Sequence, residues 1–145
     1  MGYNARLNVL TADTDAFASV ATNSSAIQQI FAAERAGQVV SAIFWNGSTS
    51  SVASGTTAGS AMNVYVYKTA SSTTASVAAS GALAVVATLG TQALTMSTAT
   101  ALTRFAAGDL YLAELIGGAG NNRNNAGAQV ILRYMYGHST DSATP

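Results

Sequence analysis

From Met62 to Lys68 the chain reads Met-Asn-Val-Tyr-Val-Tyr-Lys, with Met62, Val64 and Val66 on one face and Asn63, Tyr65 and Tyr67 on the other. A pleated strand sends successive side chains to opposite sides, so this alternation predicts a strand with one face on a core. Gln129 to Tyr136 repeats the signal near the carboxyl end. There Val130, Leu132 and Tyr134 share a face opposite Arg133, in a segment rich in β-branched and aromatic residues.

Gln38 to Trp45 reads differently. Val39, Ile43 and Trp45 fall on one face and Val40, Ala42 and Phe44 on the other, the pattern of a strand covered on both sides by a second sheet or a neighbouring subunit. Asp109 to Leu115 follows the small-residue turn Ala106-Ala107-Gly108 and stops before Gly117-Gly118-Ala119-Gly120, which predicts another strand. Shorter candidates are Tyr3 to Leu10, Ala26 to Ala33, Leu83 to Leu89, Ala93 to Met96 and Thr100 to Phe105. About eight short strands with turn signals at intervals of roughly 8–12 residues predict an all-β fold, a jelly-roll-like antiparallel β-sandwich. A helix across Ala75 to Leu89 competes on alanine content, but the β-branched and glycine residues there favour a strand. Loops are expected at Asn46 to Ser60, Thr69 to Ser80 and Gly117 to Gly127. The first is long for a compact domain, a trait of segments that engage a partner.

What the surface is made of narrows the function. Charged residues are 8% of the chain, against ~25% in ordinary soluble domains, and Ala, Ser, Thr and Gly fill 76 of its 145 positions. Six basic residues balance six acidic ones, so no field attracts polyanions and nucleic acid is not an expected partner. A neutral, weakly solvated surface tends to associate, which points to a subunit of an assembly. With no cysteine, disulfides and thiolate chemistry are excluded. Met1 to Leu10 has no apolar run of the secretory kind, and Gly2 lacks the hydroxyl residue that myristoylation needs at position 6, where Arg6 stands. Ser76 to Met96 is uncharged, but Ser80-Gly81, Gly90-Thr91-Gln92 and Thr95 interrupt it, so no membrane span is expected.

Nothing in the chain assembles into a catalytic constellation. His138 is the one histidine and sits beside a polar tail, which excludes multi-histidine and Ser-His-Asp sites within one chain. Asp13-Thr14-Asp15 lacks the glycine and downstream glutamate of a calcium loop and reads as a polar turn. Glu34 and Glu114 are the candidates for a glycosidase-type carboxylate pair, though spacing alone does not bring them together. Gly117-Gly118-Ala119-Gly120 precedes a strand, whereas a phosphate loop opens a helix. Trp45, Tyr65, Tyr67 and Tyr111 fit either a sugar-binding platform or core and interface packing. Asn23-Ser24-Ser25 and Asn46-Gly47-Ser48 match the glycosylation triplet, which matters only in a secretory pathway. The expectation is a protein with no enzymatic activity, no cofactor and no metal.

Four segments in order carry a family likeness: Ile30-Phe31-Ala32-Ala33-Glu34-Arg35-Ala36-Gly37-Gln38-Val39-Val40-Ser41, Asn63-Val64-Tyr65-Val66-Tyr67-Lys68, Phe105-Ala106-Ala107-Gly108-Asp109-Leu110 and Ala128-Gln129-Val130-Ile131-Leu132. Across roughly Ala26 to Tyr136 the chain resembles the jelly-roll domain common in bacteriophage head decoration (cement) proteins, head fibres and tail-fibre modules. The resemblance implies a homotrimer or other homo-oligomer on the capsid exterior of a virion, docked on the major capsid protein of a phage head or on a fibre partner. It also implies an N-terminal arm or first strand over residues 1–25, a sandwich domain over 26–137 and a polar tail over 138–145. The residues expected at the oligomer or capsid interface are Val40, Phe44, Trp45, Tyr65, Tyr67, Tyr111 and Arg133. The alternative is a tail-fibre or receptor-binding module that recognises host glycans.

Overall fold

The computed structural model describes residues 9–18, 20, 24–46, 61–79, 90–117 and 127–137. They form ten strands and one helical turn: β1 (Leu10–Asp13), β2 (Ser25–Ala32), β3 (Gly37–Asn46), β4 (Ala61–Lys68), β5 (Thr73–Ala79), β6 (Gly90–Ala93), β7 (Thr95–Met96), α1 (Thr100–Thr103), β8 (Arg104–Phe105), β9 (Leu110–Ile116) and β10 (Ala128–Tyr136). All pairings are antiparallel. One sheet runs β1-β10-β3-β6, with β8 on an end of β3, and the other runs β2-β9-β4-β5-β7. With the two-residue strands set aside, eight strands are ordered 1-8-3-6 and 2-7-4-5. First strand lies beside last and second beside penultimate, which is the double Greek key of a jelly roll. The expected fold class therefore stands.

The core lies between the sheets. Met62, Val64 and Val66 of β4 face Val130 and Leu132 of β10 across it, all fully buried, as the period-two reading of both strands requires. β1 pairs with β10 through Leu10↔Tyr134 to Asp13↔Ile131, so the first strand is a member of the sandwich. Thr14 continues it. Its Oγ1 accepts the Val130 N–H (3.1 Å), and its own N–H donates to the Val130 carbonyl (3.0 Å). The Asp13-Thr14-Asp15 run thus closes a strand end.

The two-sided reading of β3 needs correcting. Register with β10 jumps from Ser41↔Arg133 to Val39↔Tyr134, leaving Val40 as an extra residue. Such a bulge reverses the alternation on one side of it. Val39, Ala42 and Phe44 therefore all point into the core, while Val40, Ile43 and Trp45 do not. Bulges also interrupt β2 at Ile30 and β5 at Val77. They let Ile30 and Phe31, and Val77 and Ala78, turn consecutive side chains inward.

Other expectations shift too. Thr69 to Ser80 is no loop: β5 occupies Thr73–Ala79, and the turn is confined to 69–72. The strand expected at Thr100 to Phe105 is one helical turn followed by β8. Ala93 to Met96 is divided between the sheets, β6 in one and β7 in the other, with Leu94 buried at the crossing. The strand candidates at Tyr3 to Asn8 and Leu83 to Leu89, most of the Asn46 to Ser60 and Gly117 to Gly127 loops, and His138 lie outside the described residues.

At the end where β2–β3 and β8–β9 turn, five aromatic rings join the sheets. Phe31 is stacked between Tyr111 (5.0 Å) and Tyr134 (4.5 Å), and Phe105 meets both tyrosines edge-on. Such pairs add about 0.5–1.5 kcal/mol each beyond the area they bury. Arg35 lies over the Tyr136 ring at 4.5 Å. Gly37 is required here, because a Cβ would meet Phe105 Cζ at 2.5 Å and press on the Met135 carbonyl.

Candidate functional site

The sandwich has two kinds of polar feature, one consumed by the fold and one facing outward. The first is the Gly108-Asp109 turn. Gly108 has φ 90°, a conformation that glycine adopts without a Cβ penalty. The Asp109 carboxylate, 2% exposed, accepts from the Ala106 N–H (2.9 Å), the Thr69 N–H (3.1 Å) and Lys68 Nζ (3.1 Å). Lys68 Nζ also donates to the Arg104 carbonyl, and Thr69 Oγ1 to the Gly108 carbonyl (2.5 Å). Burial raises the Asp109 pKa, but these donors outweigh it and hold the carboxyl below its ordinary value. These donors clip the β4–β5 turn to the β8–β9 turn. Sequence reading finds the turn but not the clip, because Lys68 and Asp109 are 41 residues apart.

The second feature is the outer face of the β2-β9-β4-β5 sheet. Register places its side chains in rows: Ser25–Ile116–Ala61, Ile27–Glu114–Asn63 and Gln29–Leu112–Tyr65–Ser76, then Leu110–Tyr67–Thr74. Ile27 is 61% exposed; Leu110, Leu112, Ile116, Tyr65 and Tyr67 are half-buried. Glu114 is the only charge in these rows. The Tyr65 hydroxyl accepts from Asn63 Nδ2 (3.1 Å) and donates to Glu114. Desolvation first, then the Glu114 carboxylate, raise the Tyr65 pKa. The result is a face on which Ile27, Ile116, Leu112, Leu110 and two tyrosines run between small or polar side chains, with Glu114 as its one charge.

The other sheet's outer face holds a depression of about 380 Å³ lined by Thr11, Asp13, Ile43, Ile131 and Arg133. Two isoleucines and two opposite charges line it. Trp45 lies on the same face, beyond Ile43 along β3.

Five of the seven expected interface residues are at these surfaces: Tyr65 and Tyr67 on one sheet, Val40, Trp45 and Arg133 on the other. The remaining two are corrected. Phe44 is 4% exposed and faces the core beside its partner Val130, and Tyr111 is wholly buried in the aromatic cluster. Sequence reading passes over Ile27, Leu112 and Ile116. The signal for them is the alternation of β2 and β9 once Ala113 and Leu115 are assigned to the core.

Burial, and secondarily the Asp109 charge, raise the Tyr111 pKa. Its hydroxyl is buried with no hydrogen-bond partner among the described residues. For Tyr134, burial and then Tyr136 raise it. Glu34 sits in the β2–β3 turn and Glu114 four residues along β9 from Leu110, the partner of Ala32. Four residues of strand span ~14 Å, so the two carboxylates do not approach the ~5–9.5 Å of a glycosidase pair. Among the described residues no three His, Asp or Glu side chains are grouped to hold a metal ion, and no helix is long and apolar enough to cross a membrane. Compared with protein-family models, curated proteins and solved structures, the chain matches none.

Proposed function

We propose that this jelly roll is a structural, non-enzymatic virion subunit that decorates and stabilises a phage capsid as a homo-oligomer. One observation carries the reading: the outer face of the β2-β9-β4-β5 sheet presents Ile27, Leu112, Ile116, Tyr65 and Tyr67 around a single charge, Glu114. A contiguous apolar patch of this kind marks an interaction surface, and the chain's low charge gives it little other means of staying apart. The likeness of its four ordered segments to head decoration proteins supplies the partner, the major capsid protein. Such a protein works by mass action. Copies that bind the mature lattice and not its dissociated subunits stabilise the lattice by their binding free energy, without turnover.

The test is co-sedimentation of the purified chain with empty phage heads, with Leu112→Lys as the control that charges the patch. Saturable binding weakened by the lysine supports decoration; a chain that stays in the supernatant at all ratios overturns it. A second reading rests on the depression at Thr11, Asp13, Ile43, Ile131 and Arg133, whose mix of isoleucines and opposite charges suits a saccharide. Glycan binding lost in Arg133→Ala would favour a receptor-binding module instead.

A further inference from the structure

The four strands that end the two sheets differ in how much open edge they offer. β1 and β6 have four residues each, β7 has two and leaves Thr73 to Ser76 of β5 without a described strand partner on the side away from β4, and β2 has eight. An unpaired strand edge templates another strand, and soluble proteins blunt it with charge, proline or shortness. β1 carries Asp13. β2, Ser-Ala-Ile-Gln-Gln-Ile-Phe-Ala, has no charge and no proline, and among the described strands it pairs with β9 alone. Only the Ile30 bulge breaks it, which leaves Ser25 to Gln29 as a regular edge.

The direction of that edge's hydrogen-bonding groups follows from one contact. The Ser24 carbonyl accepts the Gly117 N–H (2.8 Å), so Ser24 faces β9. By alternation Ala26 and Gln28 face β9 as well, and Ser25, Ile27 and Gln29 aim their N–H and C=O groups into the open edge. The same three side chains lie on the outer face of the sheet, all exposed, Ile27 most of all among the large apolar residues.

We propose that β2 pairs antiparallel with β2 of a second copy about a two-fold axis at Ile27. This register sets Ile27 against the partner's Ile27 and Ser25 against the partner's Gln29 on both sides of the axis. All three outward-facing residues then join hydrogen-bonded pairs, about six backbone bonds in total. The segment is self-complementary: no charge meets its own copy, the isoleucines pack side by side, and Ser25 lies opposite a glutamine amide. In the joined sheet Glu114 and its counterpart stand three strand spacings apart, ~14 Å, beyond the screening length of ~8 Å at physiological salt. Two sheets become one, and their apolar outer faces join into a single platform. The proposal rests on the homo-oligomer part of the decoration reading, but it gives the contact a two-fold axis, which a homotrimer lacks.

Light scattering and hydrogen exchange test it on the full chain. The wild type is expected at twice the 14.6 kDa of one chain, or an even multiple, with slow exchange at the 25, 27 and 29 amides that dilution abolishes. Ile27→Lys places two cations face to face and is expected to halve the mass and release those amides. Ile27→Pro deletes only an edge-directed N–H, a position where strands tolerate proline, and is expected to do the same with the strand circular dichroism retained. A monomeric or trimeric wild type, fast exchange at those amides, or an unchanged mass in a folded Ile27 variant overturns the pairing. A monomer or trimer that still sediments with heads leaves decoration standing without the edge contact; an even-numbered oligomer that ignores heads does the reverse.

Discussion

The molecule contains two tyrosine–carboxylate neighbourhoods along β9, Asp109 with Tyr111 at its start and Glu114 with Tyr65 of the adjacent β4 further on, and they are built in opposite ways. Inside, Asp109 collects three donors, while Tyr111 beside it is buried with no partner for its hydroxyl among the described residues. Outside, Tyr65 shares its hydroxyl with both Asn63 and Glu114, and the isoleucines and leucines around it are open to an incoming surface. The inner set is committed to holding two turns together. The outer set is satisfied enough to stay ordered and uncovered enough to bind. The difference separates stability from function in this fold, and substitutions across it break the two apart.

The largest contrast is on β3, between neighbours. Phe44→Asp buries an unpaired charge and empties a ring's volume, a loss of more than ~5 kcal/mol, comparable to the whole stability of many domains. The variant is expected not to fold, as judged by circular dichroism. Trp45→Asp, one residue along and on the outer face, is expected to fold with a loss on the order of 1 kcal/mol in urea unfolding. A folded Phe44→Asp would place that ring outside the core and return the strand to two-sided exposure.

Next in size is the carboxylate pair. Asp109→Ala strands two backbone N–H groups and Lys68, and is expected to cost about 3 kcal/mol. That lowers the melting temperature by on the order of 10 °C for a domain of this size. Glu114→Ala, on the open face, is expected to cost about 0.5 kcal/mol. The acid limb sharpens the difference. The folded Asp109 pKa is held below its ordinary 3.8, so its stabilisation is present above that value and is lost as pH falls through the lower, folded one. Asp109→Ala is expected to flatten the stability profile below pH 3.8.

How far these contrasts can be read from the chain depends on the strand. β4 and the Ala128 to Arg133 part of β10 keep their alternation against a regular partner, so Met62, Val64, Val66, Val130 and Leu132 are legible as core and Tyr65 as outward. β3 is legible as a strand but not in its facing. A bulge costs one residue and leaves no mark where both Val39 and Val40 are apolar, so both faces read as covered and Phe44 is set at an interface instead of in the core. Tyr111 misleads for another reason: aromatic residues serve cores and interfaces equally, and only its neighbours Phe31 and Phe105, from distant parts of the chain, decide between them. The Gly108-Asp109 turn is visible, whereas its Lys68 clip is a long-range contact. The open edge of β2 is a property of sheet order, which local pattern does not carry.

The smallest expected effect tests the comparison most finely, because it has opposite signs at its two ends. Leaving a hydroxyl buried without a partner costs about 1–3 kcal/mol, so Tyr111→Phe is expected to stabilise the protein by about 1 kcal/mol while the ring keeps its place against Phe31. Tyr65→Phe gives up hydrogen bonds at a half-exposed site and is expected to lose about 0.5 kcal/mol. Alkaline unfolding separates them further. Burial raises the folded Tyr111 pKa above the ordinary 10.0. The folded state then holds a proton that the unfolded chain releases, and stability falls as pH rises past 10.0. Tyr111→Phe should remove the larger share of that fall and Tyr65→Phe a smaller one. If Tyr111→Phe instead destabilises, the hydroxyl has a partner, and the inner neighbourhood is as fully satisfied as the outer.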